Sequence, residues 1–328
     1  MARRTDVAEL VAQARDGQPR AVARLISLVE DASPLLREVM AALAPHTGQA
    51  YVVGLTGPPG VGKSTSTSAL VSAYRALGKR VGVLAVDPSS PFSGGALLGD
   101  RIRMQDHATD PDVFIRSMAS RGHLGGLAWA TPQALRVLDA AGCDVVIVET
   151  VGVGQSEVEV ASAADTTVVL LAPGMGDGIQ AAKAGILEIG DVYVVNKADR
   201  DGAQTTAREL NHMLSLGPSR GPESWRPPIL KTVASRGEGL DEVVEALEKH
   251  RAWMAADGTL EARRQRRVRA EVEAIALAAL RERMSAPAGG RRADGLAARV
   301  ADGSLDPYAA ADELVAGLLR DSGEDTEC

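Results

Sequence analysis

Gly57-Pro58-Pro59-Gly60-Val61-Gly62-Lys63-Ser64 fits the pattern G-x-x-x-x-G-K-[ST], a loop that wraps phosphate groups. The run before it, Tyr51 to Thr56, is apolar and β-prone. The run after it, Thr65 to Leu77, suits a helix with Leu70, Ala73 and Leu77 on one face. A glycine-rich loop between a strand and a helix is the setting the pattern requires. Glycines let successive backbone N–H groups turn inward around phosphate oxygens, and the helix N-terminus adds partial positive charge. Lys63 is expected at the β- and γ-phosphates, and the Ser64 hydroxyl at Mg²⁺. The loop residues Gly57 to Ser64, with Thr65, are therefore candidates for holding a nucleoside triphosphate.

Outward from this loop the chain alternates strand and helix patterns from 51 to about 255. Expected strands are 51–56, 81–86, 113–115, 144–148, 167–172, 192–196 and 229–233. Their near-continuous Val, Ile and Leu content suits strands covered on both faces. The expected fold is α/β, a doubly wound and mostly parallel sheet. Residues 1–48 read as an N-terminal helical segment, 49–256 as the nucleotide-binding domain, and 257–328 as a helical arm that packs on a second subunit. In the arm, 261–283 reads as one long helix, Pro287 to Gly290 as a break, and 292–301 and 307–320 as two shorter helices. Its cluster Arg263, Arg264, Arg266, Arg267 and Arg269 is a solvated or salt-bridged face, or the seat of an acidic partner.

Composition sets the outer limits. The chain has 328 residues, 45% hydrophobic and only 3% aromatic, so aliphatic side chains and alanine must build the core. A net charge of −7 argues against nucleic acid as the partner. No stretch approaches the ~20 apolar residues of a membrane span. The first residues show no apolar leader, and two cysteines, Cys143 and Cys328, make neither a disulfide framework nor a metal site. The expected compartment is the cytoplasm.

A second motif selects the base. The strand at 192–196 ends in Asn196-Lys197-Ala198-Asp199, which fits N-K-x-D. The Asp199 carboxylate can accept hydrogen bonds from guanine N1–H and its amine, groups that adenine does not offer. Ala234 and Ser235, after the last strand, are candidates for backbone contacts to the same base. Glu149-Thr150-Val151-Gly152 has the layout of a Mg²⁺ and γ-phosphate sensor, the acid toward the metal and the Gly152 N–H toward the phosphate. Gln155 falls in the switch segment that follows. Asp87 ends the second strand, where a carboxylate can reach Mg²⁺ or an attacking water, and Asp100 is a weaker candidate for the same site. Pro173 to Gly178 forms a Gly-rich loop ahead of a helix carrying Gln180 and Lys183.

Taken together, Asp87-Pro-Ser-Ser90, Arg121-Gly-His-Leu-Gly-Gly126, Glu149 to Glu157, Leu187 to Asp191, Asn196 to Asp199 and Trp225-Arg-Pro-Pro228 resemble the MeaB- or ArgK-type GTPases. The resemblance implies a SIMIBI-group P-loop GTPase, homodimeric through C-terminal helices, that acts as a chaperone of adenosylcobalamin-dependent methylmalonyl-CoA mutase or a related mutase. It also implies Lys63, Ser64, Asp87, Asp100 and Glu149 at the Mg²⁺·phosphate site, and Gln180 and Lys183 in a switch that signals to the mutase. Two other functions are compatible with a phosphate loop. A nickel-delivery GTPase would need a Cys/His site that two cysteines and no His-rich tract do not supply. An ATP-dependent small-molecule kinase would make Asn196 to Asp199 a coincidence.

Overall fold

The computed structural model describes residues 6–87, 104–107, 109–119, 130–150, 156–174, 188–216 and 224–324. Seven strands form one sheet: β1 (Tyr51–Thr56), β2 (Val81–Asp87), β3 (Val113–Ala119), β4 (Val145–Thr150), β5 (Thr166–Leu171), β6 (Val192–Asn196) and β7 (Ile229–Thr232). Their spatial order is β3-β2-β4-β1-β5-β6-β7, and every neighbouring pair is parallel. β1 lies centrally, with Leu55 in register with Glu149 of β4 and Val168 of β5. Among the described residues, the phosphate loop, Glu149 and Asn196 to Asp199 therefore lie at the same, C-terminal edge of the sheet.

Helices cover both faces. On one side α1 (Val7–Arg15), α2 (Pro19–Glu30) and α3 (Leu36–Leu43) join α5 (Thr131–Ala140) and α6 (Ser156–Ala163), packing on Val52, Leu84, Val146 and Val148. On the other, α4 (Lys63–Ala76) and α8 (Leu240–Asp257) pack on Val53, Leu55, Val83, Ile147 and Leu170. The alternation of Val52 with Val53 between the two cores is the two-residue period of a strand buried on both sides. A smaller cluster, Val169, Leu171 and Tyr193 with Leu210, seats α7 (Ala203–Ser215). The Asp139 carboxylate accepts from the amides of Gly48, Gln49 and Ala50 and so fixes the entry into β1.

β3 runs to Ala119, four residues past the expected end at 115. Polar Arg116 and Ser117 interrupt the apolar run, which hides the strand from a hydrophobicity pattern. The fold uses Arg116 instead: it pairs with Glu30 of α2 and reaches Ser27 Oγ at 3.3 Å, while Met118 is buried.

At the opposite, N-terminal edge a second polar cluster holds α8 and the start of α9 (Thr259–Ser285). Arg263 donates to Asp191 Oδ1 and Oδ2 at 2.9 Å each and to the Asp165 carbonyl at 3.0 Å. Asp191 Oδ2 also accepts from Thr167 N, and its carbonyl accepts the Trp225 indole N–H. His250, fully buried, packs against both Trp225 and Trp253, which also touch each other, with Nδ1 2.7 Å from Thr166 Oγ1 and Nε2 3.5 Å from Asp191. Burial pushes its imidazole down to about 4, more than the nearby Asp191 carboxylate restores, and the Arg263 charge adds to the depression.

The chain divides into two compact units, residues 1–263 and 264–328. The second contains the rest of α9 and a hairpin of α10 (Pro287–Ala301) and α11 (Pro307–Glu324), closed by the Arg299–Glu313 ion pair at 2.7 Å. The long helix does break ahead of Pro287, at the extended Ala286, but the next helix starts at Pro287 rather than at 292, so Pro287 to Gly290 form the first turn of α10. Proline is tolerated at a helix start because the N–H it lacks has no intrahelical acceptor there.

Candidate nucleotide-binding site

The phosphate loop turns by left-handed backbone. Gly57, Gly60 and Gly62 have φ of +144°, +80° and +95°. Gly62 has a second constraint: a Cβ there would lie 2.6 Å from Asn196 Nδ2. The loop therefore needs glycine for conformation and for the close approach of the guanine motif. α4 begins at Lys63 directly after Gly62, so its first amides point into the loop. Lys63 is nearly buried, and its ammonium donates to the Gly57 carbonyl at 2.6 Å and the Pro58 carbonyl at 3.2 Å. The charge thus already lies inside the turn that a phosphate chain would enter.

Glu149, near the end of β4, is 3% exposed. Its Oε1 accepts from Ser64 Oγ at 2.7 Å and its Oε2 from Thr67 Oγ1 at 2.9 Å. Ser64 and Glu149, both expected at the Mg²⁺ site, are thus hydrogen-bonded to each other, and Thr67, which sequence reasoning missed, joins them. The available signal was spacing: Ser64 and Thr67 are three apart and share a face of α4.

Asn196 and Lys197 fasten the guanine motif to the phosphate loop. Asn196 Nδ2 donates to the Val61 carbonyl at 2.9 Å, and Lys197 Nζ to the Gly60 carbonyl at 2.5 Å. Lys197 itself adopts a φ of +58°, rare for a side-chain-bearing residue. Asn196 Oδ1 accepts from Thr232 Oγ1 and from the Ala234 amide, both at 3.1 Å. The Ala234 N–H is thus engaged with Asn196, and Ser235 follows in the same short turn, Ala234–Arg236. Asp199 is held 3.4 Å from the exposed Arg236 guanidinium, a neighbour that the sequence did not suggest.

Asp87 closes β2 in register with Ala119, but its side chain is not among those described. Asp100, Gly152, Gln155, Gln180 and Lys183 lie outside the described residues. No helix among the described residues is long and apolar enough to cross a membrane.

A phosphate loop after the central strand, an N-K-x-D motif bonded to it and a carboxylate on the loop serine define a P-loop GTPase, a hydrolase of GTP. The match to known proteins is more specific. Residues 22–288 match the family described as methylmalonyl Co-A mutase-associated GTPase MeaB, and the chain belongs to that family. A Pyrococcus abyssi protein is 47% identical over 312 residues, covering 95% of this chain and 96% of its own. The GTPase ArgK of Escherichia coli is 39% identical over 266 residues, covering 79% of this chain and 80% of its own. The crystal structure of a LAO/AO transport system kinase superposes with a TM-score of 0.69 at 29% identity, covering 95% of this chain and 97% of that one.

Proposed function

We propose that this GTPase gates the loading and protection of adenosylcobalamin in methylmalonyl-CoA mutase or a related B12-dependent acyl-CoA mutase. The observation that carries this reading is membership of a family described as mutase-associated, over residues 22–288. GTP enters with its base toward Asn196, Lys197 and Asp199 and its phosphates in the loop Gly57 to Thr65, while Ala234 and Ser235 border the base. Lys63 and the loop amides stabilise charge on the β- and γ-phosphates. Ser64 and Glu149 present hard oxygen donors 2.7 Å apart, a donor set that suits Mg²⁺. Asp87 and Asp100 complete that set in this reading. Bound Mg²⁺ supplies neutralisation of the phosphate charge. Gly152 and Gln155 form the switch that follows Glu149, and Gln180 and Lys183 a further switch that reports nucleotide state to the mutase. The protein works in the cytoplasm.

The segment 257–328 serves in this reading as the dimerisation arm. Val268, Val272 and Ile275 on α9 are exposed at a spacing that places them on one face, which supports a helix-on-helix contact with a second copy. Light scattering tests it: a single species at the monomer mass excludes the dimer.

The client is tested by steady-state GTP hydrolysis with and without a B12-dependent mutase, alongside a pull-down. The mutase is expected to accelerate hydrolysis. Lys183→Ala should keep the intrinsic rate and retain mutase binding, since one rim charge contributes about 0–1 kcal/mol, but lose most of the acceleration. Wild-type protein that no such mutase activates sinks the client assignment.

A further inference from the structure

We propose that Thr67 is a positioning residue of the Mg²⁺ site, acting through the Glu149 carboxylate. The inference rests on the assignment of Ser64 and Glu149 to that site. Thr67 is fully buried on α4, one turn beyond the phosphate loop, and faces the end of β4. Glu149 there is flanked by strands on both sides, in register with Leu55 of β1 and Ala85 of β2, so its backbone is immobile. The terminal torsion of a glutamate is intrinsically broad because it joins an sp³ to an sp² carbon, so hydrogen bonds to its two oxygens help to set it. The two helix hydroxyls supply such bonds: Ser64 Oγ donates to Oε1 at 2.7 Å and Thr67 Oγ1 to Oε2 at 2.9 Å.

The division of labour follows from hydroxyl chemistry. A serine hydroxyl has one proton and two lone pairs. Ser64 directs its proton at Glu149, so its lone pairs are what it can offer a cation. That arrangement holds only while Oε1 stays in place, and Oε1 stays in place while Oε2 is anchored. Thr67 supplies an anchor on that side. Removing its hydroxyl takes a donor from Oε2, so the carboxylate holds its plane less firmly and orients the Ser64 hydroxyl less well. The consequence falls on the metal. The nucleotide itself is held in this reading by loop amides, Lys63 and Asp199, whereas the Thr67 hydroxyl is spent on Glu149.

Binding of a fluorescent GDP analogue is measured in a Mg²⁺ titration and in EDTA for the wild type, Thr67→Val and Thr67→Ser. Valine keeps the shape and removes the hydroxyl, and serine restores it. Thr67→Val is expected to bind the nucleotide in EDTA as the wild type does, with the Mg²⁺ midpoint raised about tenfold, the size of effect seen when a partner of a metal ligand is lost. Thr67→Ser should return the midpoint toward the wild-type value. A Thr67→Val midpoint equal to wild type overturns the proposal. So does an equal loss of affinity with and without metal, which would make Thr67 a purely structural residue. If wild-type binding ignores Mg²⁺, the metal assignment of Ser64 and Glu149 falls and this inference falls with it. A normal Mg²⁺ response in both wild type and Thr67→Val removes Thr67 alone.

Discussion

Asp199 carries the choice of base, and its setting decides how it does so. The carboxylate is about one-third exposed and its described ionic neighbour, Arg236, sits at the outer limit of hydrogen bonding. An exposed pair at that distance contributes little, so guanine can displace it at small cost. Asp199→Asn replaces an acceptor of two charge-assisted hydrogen bonds with an amide. The loss of about 3 kcal/mol should weaken GDP binding about a hundredfold. Xanthine carries a carbonyl where guanine carries its amine, and an amide can donate to it. The variant should therefore gain affinity for xanthosine diphosphate relative to GDP. Competition between the two nucleotides checks this, and unchanged guanine preference would remove Asp199 as the selector.

Among the elements, the joint between β6 and α9 depends on one carboxylate. Asp191 meets both terminal nitrogens of Arg263, the Thr167 amide and, at 3.5 Å, His250. It is only one-tenth exposed, so its removal leaves a half-buried guanidinium without its main acceptor. Breaking such a pair from one side costs about 3 kcal/mol. For a chain of this size Asp191→Ala should lower the melting temperature by roughly 4–5 °C. GTP affinity should hold at a temperature where the variant is folded, because the cluster lies at the edge of the sheet opposite the nucleotide. Calorimetry with and without nucleotide separates the two effects. A melting temperature equal to wild type would show that Arg263 finds an equivalent partner.

For the molecule as a whole, the same cluster sets an acid limit. His250 is neutral in the fold because burial lowers it to about 4, whereas in the unfolded chain it protonates near 6.5. Below 6.5 the unfolded state gains a proton that the folded state does not. The stability His250 contributes is therefore complete above about 6.5 and is lost as pH falls toward 4, about 3 kcal/mol in all. Between pH 7 and pH 5 the loss attributable to this side chain is about 2 kcal/mol. Urea denaturation of wild type and His250→Gln at those two pH values checks it. The wild type should lose about 2 kcal/mol more than the variant over the interval, and parallel losses would show that His250 does not titrate in the unfolding equilibrium.

Strand order apart, the sheet was legible along the chain, because a strand buried on both faces announces itself as an apolar run and β1, β5 and β6 are such runs. The phosphate loop and Asn196 to Asp199 were legible for a related reason: each performs its chemistry with contiguous backbone and side chains, so spacing suffices. β3 and the start of α10 were misjudged where a polar residue or a proline obeys a tertiary or end-of-helix rule rather than a local one. The individual bonds between distant side chains, in the site and at the opposite edge, could not be read. Glu149 is 82 residues from Thr67, and Arg263 is 72 from Asp191, so only the parallel crossovers bring them together. A threonine in a helix and an arginine in a charged run look alike whether they bond to solvent or to a buried carboxylate. Folding distinguishes them, because a carboxylate removed from water must be given donors, and the donors are whichever side chains the packing places within reach.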